Sequence, residues 1–252
     1  MAKSAGYAPR SKARTVQNNQ NMLLGVIVIV VVAVAIVAAI LSNQFNSAQP
    51  AAVSSVQYSQ IPQSTTADGA PILGSPDAKV VILEFADFSC PHCLDYHPTI
   101  QKVIDQLVRP GTARLIFRPM TFVGGPYSEA AAKAALCTAK QGKFWEMEAA
   151  LFNLQATQGY QAFQTDTLKA TADKLGLDGV AVVNCMSSSD VQNTLTSSKA
   201  LFEQLGAGGT PSVMYSTDGG TTFKPVIADA QGKVAGVPSY DQIAQVVSQA
   251  AY

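Results

Sequence analysis

The sequence predicts an α/β fold, a central mixed sheet flanked by helices, with an inserted helical subdomain and one transmembrane helix ahead of it. Three patterns predict it. An apolar strand, an amphipathic helix and a second strand follow one another within residues 79–120, the arrangement of a βαβ unit. A helical stretch comes next, and then a β-hairpin and a last helix, which set antiparallel strands beside parallel ones. Near the N-terminus, Met22 to Leu41 form a run of 20 residues without a charge.

Taken in order, that run is long enough, at about 1.5 Å per residue, to cross the roughly 30 Å hydrocarbon core as a helix. A cleaved leader has a shorter apolar region of about 7–15 residues. Lys3, Arg10, Lys12 and Arg14 precede the run, and no acidic residue occurs before Asp68. Positive charge on that flank puts the N-terminus in the cytoplasm and the rest of the chain outside it. Beyond those four residues, 13 basic side chains face 17 acidic ones, which is no footprint for a nucleic-acid binder. Residues 42–67 are uncharged and rich in Ser, Gln and Ala. They read as a flexible tether with a reach on the order of 30 Å. The expected organisation is a basic tail (1–21), an anchor (22–41), the tether (42–67) and a folded domain (68–252) whose helical insertion covers about 124–189.

In the folded part, KVVILEFADF (79–88) is apolar almost throughout, as a central strand covered on both faces should be. CLDYHPTIQKVIDQLV (93–108) carries a stripe of Ile100, Val103, Ile104, Leu107 and Val108, with a kink expected at Pro98. ARLIFRPM (113–120) is the second strand. Helices follow, with Ser128, Asp166, Asp178 and Asp190 as expected N-terminal caps or starts and Trp145, Leu151 and Phe152 as core candidates. SVMYS (212–216) and FKPVI (223–227) form the hairpin. SYDQIAQVVSQAA (239–251) is the terminal helix, with Ile243, Val246 and Val247 facing inward.

The chemistry centres on Cys90-Pro91-His92-Cys93, at the turn from strand to helix. A thiol there meets free backbone N–H groups and the positive end of the helix dipole. Its thiolate is favoured and its pKa falls. Cys93 lies one turn further in, placed to close a disulfide. A protonated His92 adds positive charge beside the thiolate. A stabilised thiolate stabilises the reduced form and so makes the disulfide a stronger oxidant. A zinc site is the rival reading. Cys90, Cys93 and His97 supply three of the four ligands it needs, and the chain has only two histidines. His97 is therefore expected to cover the helix surface. Cys137 and Cys185, 48 positions apart, suit either a structural disulfide or two small buried apolar residues. Pro211 reads by itself as an ordinary trans proline opening a strand. Glu84 reads either as a strand residue facing solvent or as a buried carboxyl between the apolar Leu83 and Phe85, with a raised pKa.

LEFADFSCPHC, the later QGKFWEMEAALF and the later GGTP together resemble the DsbA-like thioredoxin-fold family of extracytoplasmic thiol–disulfide oxidoreductases. The closest likeness is to its membrane-anchored subgroup, and it covers about residues 70–252. The resemblance implies a thioredoxin fold. It implies that Cys90 is the attacking, solvent-facing cysteine and Cys93 the buried resolving one. Pro211 becomes the cis-proline packed against the disulfide, Thr210 a shaper of the substrate groove, and Glu84 a buried acid assisting proton transfer at Cys93. A similar pair in some relatives, with the extracytoplasmic placement, favours a bond between Cys137 and Cys185. The tail YSTDGGTTFKPVIADAQGK is longer than the family pattern.

The expected activity is the introduction of disulfides into unfolded exported proteins by a monomer that needs no bound cofactor. A quinone-linked membrane oxidase of the DsbB or vitamin K epoxide reductase type would reoxidise the site. The alternatives are a reductase or isomerase of the same fold, or a non-enzymatic chaperone or metal-carrying module.

Overall fold

The computed structural model describes residues 27, 29–37 and 58–250. The chain divides into two units, Met1–Ala52 and Val53–Tyr252. In the first, residues 27 and 29–37 are helical and exposed. Among the described residues no helix is long and apolar enough to cross a membrane. Much of the expected anchor (22–41) and the tether as far as residue 57 lie outside the described residues.

The second unit runs β1 (Gln63–Thr65), β2 (Pro71–Leu73), β3 (Val80–Ala86), α1 (Pro91–Val103), β4 (Ala113–Pro119), α2 (Pro126–Ala139), α3 (Phe144–Gln158), α4 (Thr165–Lys174), α5 (Gly179–Cys185), α6 (Ser189–Gln204), β5 (Ser212–Ser216), β6 (Lys224–Pro225) and α7 (Tyr240–Ala250). The strands make one sheet in the order β1-β2-β4-β3-β5-β6. β3 pairs in parallel with β4, Glu84 opposite Phe117, and antiparallel with β5, Phe85 opposite Ser212. The sheet is mixed, as expected.

Every residue of β3 is buried, because the strand is central and both its faces are covered. Val80, Ile82 and Ala86 join one core with Ile100 of α1, Trp145 of α3 and Ile243 of α7. Val81, Leu83 and Phe85 join a second core with Phe202 of α6. By strand alternation Glu84 faces the first core, on the side of α1.

Several local expectations change. Residues 58–67 belong to the folded unit rather than to the tether. Tyr58 is fully buried, and β1 pairs with β2 through Ser64 and Ile72. That hairpin is made by backbone pairing of very short strands, which leaves little trace in side-chain periodicity. α1 continues through Pro98, and the departure from α geometry comes later, in a π-helical turn at Ile104–Val108. Asp178 does cap α5, accepting from the Ala181 N–H at 2.9 Å. α6 is instead capped by Ser188, with Asp190 in its first turn. α4 begins after Gln164, with Asp166 in its first turn. α2 begins at Pro126, two residues ahead of Ser128, since proline suits the first helical position. β6 is shorter than the strand expected over 223–227.

Candidate redox site

The site lies at the C-terminal end of β3, where the chain turns into α1. Cys90 is the residue ahead of the helix, with extended backbone (φ −77°, ψ 121°), and Pro91 opens the first turn. The turn is closed by the Cys90 N–H donating to the Asp87 carbonyl at 3.0 Å. Because Ser212 of β5 pairs with Phe85 of β3, the preceding Thr210–Pro211 comes down beside Cys90. The Thr210–Pro211 peptide bond is cis, and the Cys90 thiol donates to the Thr210 carbonyl at 3.4 Å.

Both thiols are free. Cys90 is 4% exposed and Cys93 1%, so the cysteine expected to face solvent is the more open of the two yet still largely covered. Their ionisations are pushed apart. Cys90 is lowered to about 5, first by the hydrogen bond from the Cys93 thiol and, against the upward push of burial, by Thr210 and the backbone N–H groups of Cys93 and His92. Those two N–H groups belong to the first turn of α1, where they lack helical partners. The His92 side chain is exposed, and it is the His92 backbone N–H that reaches Cys90. Cys93 moves strongly upward, first through its hydrogen bond with Cys90 and then through burial. The Asp87 N–H donates to Cys93 Sγ at 3.5 Å.

Glu84 is 3% exposed. Its Oε2 finds no hydrogen-bond partner among the described residues. Burial, and after it the charge of Glu148, raise its pKa well above the ordinary carboxyl value. Tyr96, three residues past Cys93 on the buried side of α1, is pushed upward by burial and then by the Glu84 charge.

Sequence reasoning passed over Asp87. It is fully buried, and its carboxylate gathers three donors. Oδ1 accepts from the Ser89 N–H at 2.8 Å and the Ser128 hydroxyl at 2.6 Å, and Oδ2 from the Val123 N–H at 2.9 Å. It thereby ties the redox turn to the loop after β4. Ser128, expected to cap a helix, serves this clamp. An acid between the apolar Ala86 and Phe88 was the signal available.

His97 also departs from expectation. Rather than covering the surface, it packs toward α3, 3.3 Å from Glu148 and tilted against the Phe152 ring with centroids 4.8 Å apart. The helical insert is tied by a bond between Cys137 and Cys185, with Cα atoms 5.8 Å apart. The described residues contain no group of three His, Cys, Asp or Glu placed to hold a metal ion.

The family model described as thioredoxin matches residues 66–219. Among curated proteins, the Na(+)/H(+) antiporter NhaA 3 of Salinispora tropica is 40% identical over 78 residues, 30% of this chain and 11% of that protein. Disulfide bond formation protein D of Bacillus subtilis is 33% identical over 92 residues, 34% of this chain and 40% of that protein. The chain thus spans well under two thirds of the length of either. Among solved structures, a thioredoxin-like oxidoreductase from Silicibacter pomeroyi aligns with a TM-score of 0.58 at 27% identity, covering 72% of this chain and 92% of that one. Oxidised BdbD from Bacillus subtilis aligns with a TM-score of 0.61 at 19% identity, covering 76% and 98%, a likeness of fold.

Proposed function

The chain belongs to the DsbA-like branch of the thioredoxin family, thiol–disulfide oxidoreductases, and from that premise we propose that it oxidises dithiols on exported proteins through the pair Cys90 and Cys93. One observation carries the reading: a thiol held near pKa 5 at the start of α1, one turn from a buried thiol pushed the other way. Stabilising the Cys90 thiolate stabilises the reduced site, and its disulfide becomes a strong oxidant.

With the pair oxidised, a substrate thiolate attacks Cys90 Sγ. The S–S bond breaks and Cys93 leaves with the electron pair. A thiol with so high a pKa leaves poorly as an anion, so it takes a proton, and Glu84 is the buried acid on that side. A second substrate thiolate attacks the substrate sulfur of the mixed disulfide. Cys90 leaves as its stable thiolate, the substrate holds a disulfide, and both site cysteines are reduced. The substrate backbone lies extended along Thr210 and Pro211, in the manner of strand addition. A quinone-linked membrane oxidase of the DsbB or vitamin K epoxide reductase type takes the electrons. The uncharged run Met22 to Leu41 anchors the domain outside the cytoplasm beside that partner, on the tether that follows it.

The test is transfer of one disulfide from the oxidised protein to a reduced, unfolded test protein, followed by thiol titration. Transfer is expected for the unaltered chain and lost in Cys90→Ser. Activity that survives in Cys90→Ser would favour a chaperone or carrier. A reduction potential for the pair near that of DsbA, about −120 mV, is expected. A value near that of thioredoxin, about −270 mV, would reverse the direction to reductase.

A further inference from the structure

The turn that delivers Cys90 converges on one residue, Asp87. Its carbonyl accepts from the Cys90 N–H at 3.0 Å. Its carboxylate takes the N–H of the preceding residue, Ser89, at 2.8 Å. Two consecutive N–H groups thus end on the main chain and the side chain of the same residue. The carboxylate also reaches across to the loop after β4, accepting from the Val123 N–H at 2.9 Å and the Ser128 hydroxyl at 2.6 Å. Ser128 Oγ in turn accepts from the Gly124 N–H at 2.8 Å, so a second loop amide is drawn to the carboxylate through that hydroxyl. The loop presses directly on the turn: a Cβ added at Gly124 would fall 2.6 Å from Ser89 Cβ. Asp87, Ser89 and Ser128 are all fully buried, so bulk water does not compete for these bonds.

We propose that Asp87 is a positioning residue for Cys90: its buried carboxylate braces Ser89 against the loop after β4 and so holds the Cys90 sulfur over the first-turn N–H groups of α1. The proposal rests on the redox reading of Cys90 and Cys93 and deepens it. Cys90 stands where a helix cap stands, with extended backbone, and Pro91 follows it. A cap side chain reaches the N–H groups two and three residues on, here those of His92 and Cys93; Pro91 has none to offer. Both of those N–H groups act on the Cys90 sulfur. Their reach depends on the backbone angles at Cys90, and the bonds of Ser89 and Cys90 to Asp87 fix those angles. A carboxylate is costly to bury unless its oxygens are hydrogen-bonded. Three donors meet that need here, and bonds to an ionised acceptor are stronger than neutral ones.

The brace has a consequence of definite sign. A turn released from the loop lets the sulfur drift from the two N–H groups. The thiolate is then less favoured, the reduced site less stable, and the disulfide a weaker oxidant. The charge of Asp87 works the other way, because a carboxylate near Cys90 disfavours a second negative charge. Positioning and charge therefore predict opposite shifts when the carboxylate is neutralised.

Asp87→Asn keeps the shape and one acceptor oxygen but sets an NH₂ group against a backbone N–H. Thiolate absorbance of the reduced variant is titrated across pH, and the cysteine pair is equilibrated with reduced and oxidised glutathione. The Cys90 midpoint should rise by on the order of one unit. Oxidising strength against glutathione should fall roughly tenfold. A midpoint that stays in place or falls would overturn the brace, since loss of charge alone lowers it. A merely structural role would lower the melting temperature and leave the midpoint where it was. Ser128→Ala tests the same brace with every charge retained, and it decides the matter should Asp87→Asn fail to fold. Its midpoint should rise by a smaller amount, and an unmoved one would overturn the proposal. The parent reading fails in a different way. A midpoint near the ordinary thiol value of about 8.5 in the unaltered protein would remove the redox reading of Cys90. A midpoint of about 5 there, with no rise in the variants, would remove the brace alone.

Discussion

Replacing Cys137 and Cys185 together by alanine removes the bond that joins α2 to the end of α5. The cysteines are 48 residues apart. In the chain-entropy description a closed loop of that length restricts the unfolded ensemble enough to stabilise the fold by about 4 kcal/mol. In a domain of this size each kcal/mol shifts the melting temperature by roughly 2–4 °C, so the variant should melt about 8–16 °C lower. That is a large fraction of the roughly 5–15 kcal/mol holding an ordinary domain together. Cys137 is 2% exposed, and loss of its sulfur from the packed core adds to the effect. Circular dichroism melts without reductant measure the shift, and thiol titration before unfolding confirms that only Cys90 and Cys93 remain. A melting temperature lowered by less than about 2 °C would refute the entropic reasoning. A folded variant that no longer passes disulfides to a test protein would refute the assignment of this bond to stability rather than exchange.

Two further substitutions probe the site. Glu84→Leu should raise stability by about 1 kcal/mol or more near neutral pH, because it removes an unpaired buried carboxyl, while slowing resolution by Cys93. Folding raises the Glu84 pKa, so the unaltered protein loses stability as pH climbs past the ordinary value of 4.5. The gap between variant and parent in denaturant melts should widen from there upward, and a gap independent of pH would contradict the burial argument. Gly124→Ala would put a methyl group against the Ser89 hydroxyl and within 2.6 Å of Ser89 Cβ. Overpacking of this kind costs roughly 1–3 kcal/mol and should displace the redox turn, lowering exchange rates. Adding Ser89→Gly should restore both stability and rate, and failure of that rescue would mean the clash is not what disturbs the turn.

What the sequence made legible follows from local physics. The two cysteines ahead of a helix, and the strand that delivers them, are readable from periodicity and from where a helix must begin. The burial of Glu84 could be read from its apolar neighbours. The approach of Thr210 and Pro211 was implied by family likeness rather than by spacing. The rest depends on contacts remote in sequence. His97 looked like a surface residue because its partner Glu148 lies 51 positions away on another helix. The Asp87 clamp gathers its donors from residues 89, 123 and 128, and no single stretch announces it. β1 falls within the stretch that reads as tether because it is three residues long, too short to show alternation.

The account turns on how readily the Cys90 sulfur loses its proton. Thiolate ultraviolet absorbance of the reduced protein, followed across pH and compared with Cys90→Ser, reads this directly. A midpoint of about 5, absent in the variant, is the predicted result. A midpoint near the ordinary thiol value of about 8.5 would contradict it.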